Sequence, residues 1–193
     1  MRTAFHLAVW SWLLALAATP MPALAENAPG FDLKLDIDQD GKTDRAVIIQ
    51  ELGEPADLLI YLGEENSDPA RQPDFVRKGL TEERIISLEA KGKGSLAITS
   101  CFGCGASKST EDTLTVVYRG GKFLVGGYSR SWDWNQHTSN GVETTLGECD
   151  INYLTGKATA SKDLEEGKPI KGRFKPVLLK DWSTEQRPKA CDF

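Results

Sequence analysis

Short apolar runs separated by turn residues set the pattern of the chain. Ala46-Val47-Ile48-Ile49 and Leu58-Leu59-Ile60-Tyr61-Leu62 are each bounded by polar residues and glycine. Each is too short for a lone helix and rich in β-formers, so each predicts a strand. Ile85-Ile86-Ser87-Leu88 and Leu96-Ala97-Ile98-Thr99 flank Lys91-Gly92-Lys93-Gly94, which reads as a hairpin loop. Leu114-Thr115-Val116-Val117-Tyr118 and Phe123-Leu124-Val125 flank Gly120-Gly121. Paired glycines suit the positive φ values of a tight hairpin turn. A third hairpin is predicted at Leu154-Thr155-Gly156-Lys157, and only Pro73 to Arg84 has a pattern compatible with a helix. Glu26 to Gly30 reads as a loose start. Strands joined by short turns predict an all-β fold. The expected form is mainly an antiparallel meander, closed as a sandwich, barrel or propeller-like sheet, with at most one or two short helices. The chain has no internal repeat, which argues against a complete multi-bladed propeller.

The first 25 residues follow another logic. Arg2 supplies a positive start, Ala4 to Ala18 is apolar apart from His6 and Ser11, and Pro20 and Pro22 break the run. Ala23-Leu24-Ala25 then offers the small-x-small pattern of a signal-peptidase site. Residues 1–25 are therefore expected to be a secretory signal peptide, and 26–193 a single calcium-stabilised β domain. The 15 residues from Ala4 to Ala18 are too few to span a bilayer, so no membrane span is expected. The first cysteine is Cys101, which argues against a lipid-anchored cysteine at the cleavage site. Cleavage would remove one arginine and no acid, leaving 22 basic against 28 acidic residues, a net charge of −6. An acidic chain without a basic stripe argues against nucleic acid or an anionic membrane surface as partner.

The most specific motif is Asp36-Ile37-Asp38-Gln39-Asp40-Gly41-Lys42-Thr43-Asp44. Carboxylates alternate along it, and a glycine permits a sharp turn around an ion that takes six to eight hard oxygen ligands. An EF-hand would require Glu where Val47 stands, inside a predicted strand, so helix-loop-helix is the wrong context. The spacing resembles the acidic loops of FG-GAP and VCBS-type repeats, which sit between β-strands. That resemblance implies a structural Ca²⁺ held by the side chains of Asp36, Asp38, Asp40 and Asp44, with Lys42 contributing its backbone carbonyl. Such families usually repeat the motif, which occurs here once.

Four cysteines, Cys101, Cys104, Cys149 and Cys191, suit two disulfides in an exported chain, with three connectivities open. The favoured arrangement joins Cys101 to Cys104 and Cys149 to Cys191. A redox Cys-x-x-Cys would want its first thiol at a helix N-terminus, but this pair follows a strand. A four-cysteine zinc site is the remaining alternative.

Tyr128-Ser129-Arg130-Ser131-Trp132-Asp133-Trp134-Asn135-Gln136-His137 is the candidate binding segment. Strand alternation puts Tyr128, Arg130, Trp132 and Trp134 on one face. Aromatic residues beside Arg and Asn suit a sugar or a protein partner. The competing reading buries both indoles at a strand end; recognition requires at least one in solvent. After signal removal His137 is the one histidine left, and a hydrolase of envelope polymers would use it as a general base. No nucleophile elbow or HExxH accompanies it, and no glycosidase carboxylate pair can be picked out.

Phrases such as Cys101-Phe102-Gly103-Cys104-Gly105, Arg119-Gly120-Gly121-Lys122-Phe123, Cys149-Asp150-Ile151-Asn152-Tyr153-Leu154-Thr155-Gly156-Lys157 and Arg187-Pro188-Lys189-Ala190-Cys191-Asp192-Phe193 resemble single-domain exported proteins of Gram-negative bacteria. The resemblance implies a periplasmic location and brings no activity with it. The expectation is a periplasmic or secreted, non-enzymatic binding module whose partner is an envelope protein or glycan.

Overall fold

A computed structural model describes residues 30–63, 71–92, 94–163, 165–187 and 189–191. The predicted signal peptide, 1–25, lies outside these residues. The described chain is all-β, in two antiparallel sheets, and neither closes into a barrel.

The smaller sheet is a meander of β1 (Gly30–Leu35), β2 (Asp44–Ile49), β3 (Ala56–Tyr61) and β4 (Phe75–Thr81). The larger begins with β5 (Arg84–Ala90) and β6 (Ser95–Phe102). Long strands β7 (Lys108–Arg119), β8 (Lys122–Thr138) and β9 (Gly141–Asn152) follow. β10 (Lys157–Lys162) and the short β11 (Lys168–Pro169) complete it, and β12 (Val177–Leu178) pairs with β8 near the β7–β8 turn. Three single-turn 3₁₀ helices, Leu179–Asp181, Thr184–Gln186 and Lys189–Cys191, are the only helical elements described.

All three predicted hairpins form. Pro73 to Arg84 is a correction, because it contains β4 rather than a helix. Gly79 takes φ 59°, and its N–H donates to Asp57 Oδ1 at 2.8 Å, which ties the segment to β3. Pairing with β3 then fixes it as an edge strand. The loose start is also shorter than expected, since Gly30 already pairs with Ile49.

One core joins both sheets. Ile48, Leu58 and Ile60 of the small sheet bury with Leu96, Ile98, Val116, Val125 and Ile151 of the large one. Phe75 of β4 meets Phe123 of β8 with ring centroids 4.8 Å apart. The strands of the small sheet have six or seven residues, whereas β8 has 17. The large sheet therefore extends beyond what the small one covers.

A β-bulge decides which side chains face inward along that extension. Val116 pairs with Val125 but Thr115 pairs with Gly127, so Gly126 is the extra residue. Before it Phe123 and Val125 are buried; after it Tyr128 is. The even-numbered residues of distal β8 thus continue the core face. Successive rows across the sheet change character with distance from the core. The first is Ile98, Leu114, Tyr128, Ile151 and Ala158. The second is Ser100, Asp112, Arg130 and Cys149. The third is Phe102, Thr110, Trp132, Gly147 and Lys162, and the fourth is Lys108, Trp134 and Thr145.

The C-terminal segment crosses the second row. Leu179 and Trp182 are buried in the core. Arg187 Nη1 donates to Asp112 Oδ2 at 3.0 Å. Cys191 pairs with Cys149 and Cys101 with Cys104, at Cα separations of 5.4 and 5.8 Å that suit disulfides. No cysteine is free, so neither a four-cysteine zinc site nor a reactive thiol is present in this state. Among the described residues no helix is long and apolar enough to cross a membrane.

Candidate functional site

The acidic motif forms the loop between β1 and β2, closed by the Leu35–Asp44 pair. Ile37 points into the core and is fully buried, which anchors the loop from inside. Gln39 and Gly41 adopt positive φ values of 65° and 87°, making the tight wrap. The loop organises its own backbone: Asp36 Oδ2 accepts from Gly41 N–H, Asp38 Oδ1 from Asp40 N–H, and Asp40 Oδ1 from Lys42 N–H.

Carboxylate oxygens from Asp36, Asp38 and Asp40 lie within 4.8 Å of one another, close enough to share one ion. Asp36 Oδ1 is buried and has no hydrogen-bond partner. Burial, reinforced by the charges of Asp44, Asp40 and Asp36, raises the Asp38 pKa above its ordinary value, against the lowering hydrogen bond from Asp40 N–H. A hard, oxygen-seeking cation fits this donor set, since it would neutralise the crowded charge and give Asp36 Oδ1 a partner.

Asp44 does different work. It is fully buried. Its Oδ2 accepts from Ile37 N–H at 2.8 Å and Asp38 N–H at 3.4 Å, and its Oδ1 from Gly63 N–H at 2.7 Å. It holds the loop to the end of β3 and lies outside the three-carboxylate group. Lys42 is exposed, with its ammonium 3.6 Å from Asp40 Oδ2.

The aromatic segment is distal β8, and its predicted alternation holds. Tyr128 is buried on the first row. Arg130 lies flat on Asp112, with Nε to Oδ1 at 2.7 Å and Nη2 to Oδ2 at 2.8 Å. Tyr128 Oη donates to Asp112 at 2.9 Å, so this buried carboxylate accepts from Tyr128, Arg130 and Arg187 together. Burial and then the Asp112 charge push the Tyr128 pKa strongly upward, keeping the phenol a donor. For Arg130 burial works against the charge, but Asp112 more than offsets it and the pKa rises. Glu83 completes the group, accepting from Ser100 Oγ at 2.9 Å and facing Arg187 at 3.6 Å.

Beyond this ionic row lies an open cleft of about 720 Å³. Phe102, Trp132 and Trp134 supply its apolar walls, Lys108 and Lys162 stand at opposite sides, and Thr110 and Thr145 add hydroxyls. Trp134 is 42% exposed, so one indole reaches solvent, while Trp132 is partly buried. Trp132 lies across β9 where Gly147 has no side chain, and a Cβ there would collide with the indole. Lys108 Nζ sits 5.6 Å from the Trp134 ring centroid in a cation–π contact. Phe102 is 66% exposed on the neighbouring strand.

Sequence reasoning missed Phe102, Lys108, Thr110, Thr145, Gly147 and Lys162. They come from four other strands, and only the register of long strands brings them together. His137 lies farther along β8, exposed near the β8–β9 turn, and does not line the cleft. Asp133, on the opposite face, accepts from Ser109 Oγ and Asn135 Nδ2. The described residues place no acid or nucleophile in hydrogen-bond contact with His137. Comparison with known proteins gives no match among protein-family models, curated sequences or solved structures.

Proposed function

We propose that this chain is an exported, non-enzymatic binding module of the periplasm or extracellular space, stabilised by calcium on the β1–β2 loop and engaging an envelope component through the aromatic cleft. The observation that carries the reading is the uncovered extension of the core face, where indole and phenyl rings stand in solvent above a locked ionic row. Exposed aromatic rings with convergent polar groups are what a recognition site needs. Paired strands, a disulfide-tied tail and the Asp112 cluster hold the walls in advance, which reduces the ordering cost of binding. Export agrees with the two cysteine pairs.

In this reading Asp36, Asp38 and Asp40 hold the calcium. The ion would supply charge neutralisation and a cross-link within the loop, which lies away from the cleft. Two measurements test the proposal. Calorimetry in calcium and in chelator is expected to show a higher melting temperature with calcium; equal melting removes the metal. An array of envelope glycans and peptides is expected to give binding that Trp134→Ala and Trp132→Ala abolish. Absence of any such signal removes the binding role.

A further inference from the structure

Resting on the binding reading, we infer that the cleft takes a carboxylate-bearing glycan, with sugar rings on Trp132 and Trp134 and acidic groups on Lys108 and Lys162. The argument begins with charge. The chain carries a net −5, yet the cleft gathers Lys108, Lys162, Arg130 and Arg187 against the single acid Glu83. Arg130 and Arg187 are committed to Asp112 and form the floor. Lys108 and Lys162 are exposed, and neither makes an ion pair with a described carboxylate. They flank the indoles, Lys108 on β7 and Lys162 on β10, with β8 and β9 between.

Geometry supplies the rest. Trp132 and Trp134 are two residues apart on one strand, so they stand about 7 Å apart along it. Gly147 lets the Trp132 indole lie down on the sheet as a flat platform. A pyranose presents an apolar face suited to such a ring, while its hydroxyls find Thr110 and Thr145. Two lysines are too few for a phosphate backbone, whose binding needs many neutralised charges. An acidic peptide would use the lysines but has no ring to lay on both indoles.

The opposite face of the same strands sharpens the contrast. Glu111, Asp133, Glu148, Asp163 and Glu165 line a groove of about 440 Å³ there. An anionic polymer is repelled from that side and attracted to the other, so the sheet orients it.

The test titrates the whole exported chain with oligogalacturonate, with its carboxyl-reduced neutral counterpart, and with oligoglutamate. Oligogalacturonate is expected to bind, to weaken with salt, and to bind about tenfold less tightly to the Lys108→Ala, Lys162→Ala double variant. Trp134→Ala is expected to weaken it about thirtyfold. Gly147→Ala, which lifts the Trp132 platform without removing a ring or a charge, should also weaken it. Equal binding of the neutral glycan, or indifference to the lysine variant, overturns the acidic class and leaves the binding module standing. Binding of oligoglutamate alone overturns the glycan in favour of an acidic protein segment. If none of the three binds while the array shows another Trp134-dependent ligand, the inference fails and the module survives. If the array is also blank, both fail.

Discussion

The acidic loop and the aromatic cleft are built on opposite plans. The loop draws its three grouped carboxylates from five consecutive residues, and its shape follows from local hydrogen bonds and one glycine. The cleft draws its lining from five strands and the C-terminal tail, spread from Glu83 to Cys191. Damage to a local site stays local. A site assembled by register depends on whatever holds the strands and tail in place, so its weak points lie outside it.

The largest effect is therefore expected beneath the cleft. Asp112→Ala leaves Arg130 and Arg187 without their shared carboxylate and should cost about 3–5 kcal/mol in a urea melt. If Asp112→Ala melts like the wild type, the ionic row is not what supports the cleft. At the loop, calcium at ten times its dissociation constant should stabilise the fold by about 1.4 kcal/mol. That corresponds to a rise of about 3–6 °C, and Asp38→Ala with Asp40→Ala should abolish it without touching ligand binding. Calcium-dependent binding in the cleft would break the separation of the two regions. Trp134→Ala should cost about 1 kcal/mol of stability, well below the 3–5 kcal/mol of a core indole, with acrylamide quenching reporting the exposed ring in the parent. His137→Ala should stay within about 0.5 kcal/mol and leave binding unchanged; loss of glycan cleavage in that variant would instead reveal a hydrolase.

The smallest effect is a pH dependence. Because the Asp38 pKa is raised in the folded chain, its stability contribution is fully present below the unfolded value near 3.8 and is lost as pH rises through the higher folded value. In chelator, acidification toward that range should relieve the loop, and Asp38→Asn should flatten this part of the melting profile. Calcium should reverse the trend, since protons compete with the ion for the same oxygens.

The same contrast explains what the sequence could disclose. The acidic spacing and the glycine turns are local, and both are legible. Runs such as Leu96-Ala97-Ile98 and Val116-Val117 announce strands because both faces are buried. The alternation Phe31-Asp32-Leu33-Lys34-Leu35 was equally available for β1 and would have found it. β4 escaped because an edge strand need not be continuously apolar, and its spaced apolar residues mimic a helix. Gly141-Val142-Glu143-Thr144-Thr145 escaped because it belongs to the uncovered extension, where no core imposes a pattern. Alternation correctly grouped Arg130, Trp132 and Trp134. What it could not supply was their neighbours, or that Asp44 would turn inward to three backbone N–H groups.

Gly126 gives that grouping its direction. A single extra residue acts as a parity bit for everything downstream on β8. Deleting one codon there would present Ser129, Ser131 and Asp133 where Arg130, Trp132 and Trp134 now stand, exchanging a cationic aromatic surface for an acidic hydroxylated one. Substitutions along this ribbon edit the cleft one contact at a time, whereas a change of length inverts it. Descendants of this chain should therefore vary freely in the letters of distal β8 and hardly at all in its count.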